Sequence, residues 1–245
     1  MADNDKISQG KERPCRASAP SDLSFFGQSE GRVVTKQEIA KTIMHCAALY
    51  EDNLCNRNYL ILYNTASKHS IIPEHLETVF LSRHFKHLTG VKSMLKAEDF
   101  YKRCISSRLS ARDFDIPTDG TCQLKMEILP YLMNLHRSAK PTGVFSHGQG
   151  IYIRTERLVG SRRSVMGFAR DMRKEENTYY FPNTVLNDDL NRLADVRHRI
   201  LAMLRKQIKE ARYERVCYVA KGVELCDINP FLQSTGRCAE NLIIE

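Results

Sequence analysis

The segment His87-Leu88-Thr89-Gly90 combines residue types suited to chemistry on a phosphodiester. Interpreted as the end of an extended strand, it places His87 and Thr89 on one face, because side chains alternate along a strand. An imidazole transfers protons near neutral pH, a hydroxyl donates hydrogen bonds, and Gly90 allows a sharp turn. A single histidine near a strand end is more often structural, so both interpretations stay open.

A second candidate site lies in the segment 179–184, with the sequence YYFPNT. Pro182 has no N–H to donate to a sheet, so the strand must end there or lie at a sheet edge. Asn183 and Thr184 would then project from the strand end, where ligand-binding groups often lie. The alternative is an ordinary turn in which Thr184 caps the following segment.

Basic side chains are concentrated between residues 151 and 174, opposed only by Glu156 and Asp171. They are Arg154, Arg157, Arg162, Arg163, Arg170, Arg173 and Lys174. The guanidinium fork suits phosphate, and we expect these arginines to fan out from one end of a sheet along an RNA backbone. Tyr152, Tyr179 and Tyr180 are candidate stacking surfaces or core residues. A solvated basic face is the other interpretation, as is a solvated Lys125 beside the apolar stripe of its helix.

Hydrophobic periodicity predicts helices first and strands later. The predicted helices cover 35–56, 96–107, 122–139 and 195–212, and the predicted strands cover 58–64, 76–83, 151–160, 164–170, 178–185 and 216–220, with 85–90 as a short extended continuation. Thr35 and Glu38 fit a capping box, and Pro130 predicts a kink. This order indicates an α+β fold with a mostly antiparallel sheet. We expect a flexible polar tail over 1–31 and a single α+β domain over 32–245.

Several classes of site are disfavoured by what the sequence lacks. It has no GxxxxGK[ST] phosphate loop, no HExxH, no GxSxG and no calcium loop, so no cofactor and no metal site is expected. The eight cysteines have no metal-ligand spacing and are expected to be reduced, mostly buried thiols. No segment approaches the ~20 apolar residues of a membrane span, and no apolar signal segment opens the chain. These features predict a cytoplasmic protein, and its net charge of +8 favours a polyanionic partner.

The motifs occur in an order that resembles a known family. FKHLTG (85–90), AEDFYKR (97–103), LK (124–125), LVG (158–160), GF (167–168) and YYFPNT (179–184) are similar to the fourth group of phage-associated nucleases in the barnase–EndoU–colicin–RelE superfamily. The resemblance implies N-terminal helices packed on a mostly antiparallel sheet of four to five strands, as in barnase and RelE. It also implies catalytic roles for His87, Thr89, Lys125 and Thr184, with Asn183 as a positioning group.

The implied function is a metal-independent endoribonuclease of a phage or other mobile element, working in the bacterial cytoplasm. RNA supplies its own nucleophile, the 2′-OH, so such an enzyme needs a proton acceptor and cations rather than a metal. The implied partners are RNA and an immunity or host protein, with no membrane. The alternative is a non-catalytic RNA-binding protein, or an inhibitor of host or defence machinery that uses the same basic face.

Overall fold

A computed structural model describes residues 34–66, 70–147, 154–170 and 179–245. The helices are α1 Lys36–Asn53, α2 Ser82–Thr89, α3 Ala97–Ile105, α4 Thr121–Leu132, α5 Leu135–Ser138, α6 Leu190–Leu193 and α7 Leu225–Ser234. The strands are β1 Arg57–Asn64, β2 Pro73–Phe80, β3 Pro141–Phe145, β4 Arg157–Gly160, β5 Val165–Arg170, β6 Tyr180–Leu186, β7 Ala194–Gln207, β8 Tyr213–Val219 and β9 Cys238–Ile244. The predicted tail over 1–31, together with Tyr152, Arg173 and Lys174, lies outside the described residues.

The strands form a closed barrel with an extension. The order is β1-β2-β6-β5-β4-β3-β7, and β7 pairs back onto β1, so seven strands close into a ring. β2 and β6 run parallel and are joined through the pair Thr78↔Tyr180. β8 and β9 continue outward from β7, and β9 runs parallel to β8. The predicted four- to five-stranded, mostly antiparallel sheet is therefore wrong, because the strands form a mixed seven-stranded barrel with two more strands attached.

The long strand β7 decides this architecture, and it replaces the helix predicted over 195–212. It pairs with β1, β3 and β8. Ile200 and Met203 belong to the core on the helix side of the sheet, whereas Leu201 and Leu204 belong to the core under β8 and α7. A strand covered on both faces is apolar in a continuous run, and such a run does not distinguish a strand from a helix.

The segment around His87 is also helical rather than extended. Phe85 and Leu88, three residues apart, are both fully buried, as expected for one face of a helix. The N–H of Leu81 donates to Nδ1 of His84 at the start of α2. Gly90 ends the helix with φ of 73°, the left-handed conformation that glycine adopts most easily. His87 and Thr89 are two residues apart on a helix, so they do not share a face.

The main core joins buried side chains of α1 to α5 with those of β1, β2, β4, β5, β6 and β7. Phe80 lies at its centre, with ring centroids 5.6 Å from Tyr59, 6.2 Å from Tyr50 and 5.9 Å from Phe168. Aromatic contacts at such distances stabilise a core beyond the area they bury. α2 packs against β6 and α4.

Several predictions for the helical half are confirmed. α1 starts with a capping box in which Thr35 accepts from the N–H of Glu38 and the Glu38 carboxylate accepts from the N–H of Thr35. α3 lies within its predicted range. α4 contains Pro130 and ends at Leu132, so the predicted 122–139 helix is broken.

The described residues Val34–Glu245 make up one compact unit. The cysteines within the described ranges are free thiols, most of them buried. Over those same ranges, no helix is long and apolar enough to cross a bilayer.

Candidate active site between α2 and α4

His87 and Lys125 line one surface cleft of about 440 Å³. His87 projects from the last turn of α2, and Lys125 projects from the second turn of α4. Four charged side chains, together with Gly90, line the cleft around them: Arg83, Lys86, Lys92 and Asp119. The cleft is therefore basic, with a single carboxylate at its edge among the residues that line it.

Gly90 makes room for Lys125. A Cβ at position 90 would lie 2.8 Å from Cδ of Lys125, closer than carbon atoms normally approach. The aliphatic part of the lysine thus lies across the bare backbone at the end of α2. The glycine thereby serves two purposes, the left-handed turn and the close approach of Lys125.

The two groups are electrostatically coupled. Partial burial lowers the pKa of His87, and the positive charge of Lys125 lowers it further. Burial also lowers the pKa of Lys125, while Cys122 and Asp119 act in the opposite direction. His87 is exposed at the rim, yet enough protein surrounds its ring to disfavour the imidazolium. At neutral pH the imidazole is therefore mostly neutral and can accept a proton.

Lys86 lines the same cleft but serves a structural purpose. Its Nζ donates to the carbonyls of Ser93 and Leu95, at 2.7 and 2.5 Å. These bonds hold the loop that follows α2. Arg83 lies one helical turn before His87, so the two side chains lie on the same face of α2.

Thr89 lies inside the protein and is not among the residues that line the cleft. It is fully buried, and its hydroxyl donates to the carbonyl of Lys86 at 2.7 Å. The N–H of Val91 donates to the same hydroxyl oxygen at 3.4 Å. These bonds satisfy groups at the carboxyl end of α2.

Asn183 and Thr184 lie within β6 rather than at the predicted strand end, in a separate polar cluster with the segment before β4. The hydroxyl of Thr155 donates to Oδ1 of Asn183 at 3.0 Å, and Nδ2 of Asn183 donates to the carbonyl of Arg154. Thr184 is buried opposite Gly167, where an added Cβ would lie 2.8 Å from both Thr155 and Thr184. Neither Asn183 nor Thr184 is among the described residues that line the cleft.

This polar cluster is nevertheless next to α2 in the fold. α2 packs along β6, and the ring of His84 stacks on that of Phe181 with centroids 5.3 Å apart. Burial lowers the pKa of His84 to about 4, so this ring stays neutral. The structure therefore brings His87 and Lys125 together and places Asn183 and Thr184 on the strand beside them.

The candidate RNA-binding arginines are divided between two ends of the β4–β5 hairpin. Arg162 and Arg163 are exposed in the turn after β4. Arg154, Arg157 and Arg170 lie at the opposite end of the hairpin. The expectation that all of them fan out from one end of a sheet is wrong, because the turn and the strand ends of a hairpin point in opposite directions.

The second group of arginines lies at one end of the barrel, where β4 begins and β5 ends. Arg170 pairs with Glu156 at 3.4 Å and lies over the ring of Tyr180, 4.8 Å from its centroid. Arg157 is close enough to Tyr63 to lower its pKa, against the larger opposing effect of burial. The ring of Tyr63 in turn contacts His198, at 5.1 Å between centroids.

Some residues of these sites were missed by the sequence analysis. Arg83 would have been found if 82–89 had been recognised as a helix, since it precedes His87 by four residues. Lys92, Asp119 and His198 gave no local signal, because only the packing of distant segments brings them to the cleft or the barrel end.

The family model described as phage-Barnase-EndoU-ColicinE5/D-RelE like nuclease4 matches residues 42–222. This span covers most of the chain. The chain belongs to this nuclease4 family. Comparison with curated proteins and with solved structures gave no match.

Membership of the nuclease4 family supports a nuclease-like function and a nucleic acid as substrate. The matched span contains His87, Lys125, Asn183 and Thr184. The described ranges hold no group of three or more His, Cys, Asp or Glu side chains placed to bind one metal ion. What His87 and Lys125 offer together is a proton acceptor beside a cation.

Proposed function

We propose that this nuclease4 protein is a metal-independent endoribonuclease of a phage or other mobile element, which cleaves RNA by attack of the 2′-OH. His87 is the proton acceptor, and Lys125 stabilises the negative charge that develops on the phosphate. The reaction takes place in the basic cleft between α2 and α4. The free thiols of the described cysteines fit work in the reducing cytoplasm of a bacterial host.

The main support is the convergence of His87 and Lys125 in one cleft. A general base must be neutral at the working pH, and the pKa of His87 is lowered by burial and by Lys125. A positive charge near the phosphate favours the transition state over the substrate, since charge builds up on the phosphate oxygens. The lowered pKa of His87 thus suits a general base, whereas Lys125 must stay protonated although burial lowers its pKa as well.

The chemistry can be written without an additional reactant. His87 Nε2 or Nδ1 takes the proton of the 2′-OH, and the 2′-oxygen forms a bond to phosphorus. The bond from phosphorus to the 5′-oxygen breaks, and that oxygen takes a proton from the imidazolium or from water. The products are a 2′,3′-cyclic phosphate and a 5′-OH end, and DNA cannot react because it lacks the 2′-OH.

The other candidate catalytic residues have supporting roles in this proposal. Asn183 ties β6, which packs along α2, to residues 154 and 155, and Thr184 packs opposite Gly167 of β5. Thr89 acts through the backbone by fixing the last turn of α2, from which His87 projects. Alanine variants of these three residues test their roles in the same cleavage assay.

The test uses His87→Ala with single-stranded RNA in the presence of EDTA. Wild type is expected to cleave under these conditions, and His87→Ala to cleave about 10²- to 10⁴-fold more slowly, the usual effect of losing a general acid or base. Binding of RNA should change little, because the cations of the cleft remain. His45→Ala is the matched control, since His45 is an exposed histidine on α1 outside the cleft.

Two results would contradict the proposal. RNA that stays intact with wild type, with or without divalent metal, favours the non-catalytic RNA-binding alternative. Cleavage that occurs only with a divalent metal would show that His87 and Lys125 do not have the central catalytic roles proposed for them. The chemistry of the ends is an independent check, since a 5′-phosphate product is incompatible with attack by the 2′-OH.

A further inference from the structure

A second, larger groove lies at the other end of α4. Its volume is about 730 Å³, within the range of about 300–1,000 Å³ in which proteins bind small ligands. It is bounded by the end of α4, by α5 and by the turn between β4 and β5. The apolar part of its lining comes from Ile128, Pro130, Leu132, Leu135 and Ala139. None of the catalytic candidates lines it.

Tyr131 presents an unusually open aromatic face to this groove. The residue is 70% exposed, whereas most of the other described tyrosines are buried in the cores. The residue itself lines the groove, on the α4 side. An aromatic ring beside an apolar groove is a surface on which a flat, unpaired base can stack.

Arg163 lies across the groove from Tyr131, on the β4–β5 turn. The turn is held by Oγ of Ser161, which accepts from the N–H groups of Arg163 and Ser164, both at 3.2 Å. Within the described part of the chain, neither Arg162 nor Arg163 has a carboxylate partner. A positioned arginine without an ion partner is available to bind phosphate through two parallel hydrogen bonds.

The edge of the groove near α4 has the opposite polarity. Nδ2 of Asn187 donates to the carboxylate of Glu127 at 3.1 Å, which leaves the other carboxylate lone pairs and Oδ1 of Asn187 as acceptors. Such acceptors suit the amino groups on base edges and repel phosphate. The groove thus has one side for a base and one side for its phosphate.

α4 links this groove to the candidate active site. Lys125 and Tyr131 are six residues apart on the same helix, or about 9 Å along its axis at 1.5 Å per residue. Lys125 and Tyr131 are also about 120° apart around α4 at 3.6 residues per turn, so a strand that enters the cleft must wrap about a third of the way around α4 to reach the groove. The orientation of α4 is fixed by its buried residues Cys122, Met126 and Leu129.

We propose that the groove between α4 and the β4–β5 turn is a nucleotide subsite for single-stranded RNA, in which an unpaired base stacks on Tyr131 and its phosphate binds Arg163. This inference deepens the proposed function and rests on it for the identity of the strand. A base in a duplex cannot enter, since its faces are already stacked. The subsite thereby makes unpaired RNA the preferred substrate class.

The test compares two probes of equal length, a 2′-O-methyl oligoadenylate and an abasic 2′-O-methyl strand. Neither probe can be cleaved by 2′-OH attack, so binding is measured alone. Tyr131→Ala should weaken binding of the oligoadenylate about 5- to 150-fold, the usual effect of losing a base–aromatic stack, and leave the abasic strand unaffected. Tyr131→Phe should retain the affinity. Arg163→Ala should weaken both probes, because both carry phosphates.

Arg212→Ala is the matched control for Arg163, since Arg212 is exposed in the turn between β7 and β8. Equal weakening of both probes by Tyr131→Ala, or no weakening of either, would overturn the subsite. The result is separable from the catalytic proposal. If wild type leaves RNA intact yet the two probes behave as expected, the subsite stands and the enzyme proposal fails. If RNA is cleaved but Tyr131→Ala changes neither affinity nor KM, the reverse holds.

Discussion

His87 and Lys125 illustrate how the properties of single residues depend on their neighbours. Each is an ordinary polar side chain in the sequence, and each becomes partly desolvated in the cleft. The positive charge of Lys125 disfavours a second positive charge on His87 and so lowers the pKa of the imidazole further. The outcome is a neutral imidazole beside a cation, which is a useful pair for moving a proton and stabilising a phosphate.

Lys125→Met tests this coupling directly. The pKa of His87 should rise towards its ordinary value of 6.5, but only in part, because burial is the larger cause of its lowering. Proton titration of the His87 ring by NMR measures this shift. If cleavage remains, the acidic limb of its pH–rate profile should move to higher pH, because an imidazole with a higher pKa loses its proton at higher pH.

Lys92→Met serves as the control for Lys125→Met. Lys92 lines the same cleft, but it is not among the groups that shift the pKa of His87. A pKa of His87 that stays unchanged in Lys125→Met, or shifts equally in both variants, would show that the two side chains are not coupled as described.

At the scale of elements, the end of α2 packs closely against α4 because Gly90 has no side chain. The left-handed backbone stops α2, and the open space beside it accommodates Lys125. Thr89, Cys122 and Gly90 form the junction, with Sγ of Cys122 3.8 Å from the carbonyl of Thr89. The relative position of the two helices, and hence of His87 and Lys125, depends on this junction.

Gly90→Ala should therefore have two effects, whereas Gly222→Ala should have one. Both glycines have positive φ, 73° and 78°, so each alanine costs about 1–2 kcal/mol of unfolding free energy for the left-handed backbone. Nothing lies within 4 Å of a Cβ at Gly222, but a Cβ at Gly90 displaces Lys125. Chemical denaturation should show that Gly90→Ala lowers the free energy of unfolding at least as much as Gly222→Ala does.

Cleavage separates the two glycine variants further. Under conditions where both are folded, Gly90→Ala should lose RNA cleavage and Gly222→Ala should keep it. Full activity in folded Gly90→Ala would mean that the exact position of Lys125 is unimportant to the reaction.

For the whole molecule, the net charge of +8 predicts salt-dependent association with RNA. The candidate arginines are distributed over two ends of the β4–β5 hairpin, and Arg170 is partly neutralised by Glu156. Arg162 and Arg163 are both exposed, and neither pairs with a carboxylate among the described residues. They should therefore contribute more to phosphate binding than Arg170.

The double variant Arg162→Ala/Arg163→Ala should weaken RNA binding without altering base preference. The log–log dependence of affinity on salt should become less steep by about 0.7 for each phosphate of a single strand that the variant no longer neutralises. Fluorescence anisotropy over a range of salt concentrations measures the slope. The control variant Lys209→Ala/Arg212→Ala removes the same charge from another exposed turn. An equal change of the salt slope in this control would show that the effect comes from net charge and not from the position of Arg162 and Arg163.

Local patterns in the sequence were sufficient for much of the helical half. The capping box at Thr35 and Glu38, the stripe of α1 and the short apolar run of β1 each depend on neighbours a few residues away. The sequence also indicated His87 and Lys125 as candidates, and its motifs indicated the nuclease4 family that the match over 42–222 then established. Residue type and short-range spacing carry that information.

The tertiary structure decided the barrel, the state of two segments and the composition of the cleft. Residues 194–207 carry apolar side chains at helical spacing, yet burial on both faces makes them the strand that closes the barrel. The end of α2 is predicted to be extended because Phe85, His87 and Thr89 also fit a period of two, yet it folds as a helix against β6 and α4. Pairing between distant strands and packing between α2 and α4 depend on long-range interactions, and no local period in the sequence encodes those interactions.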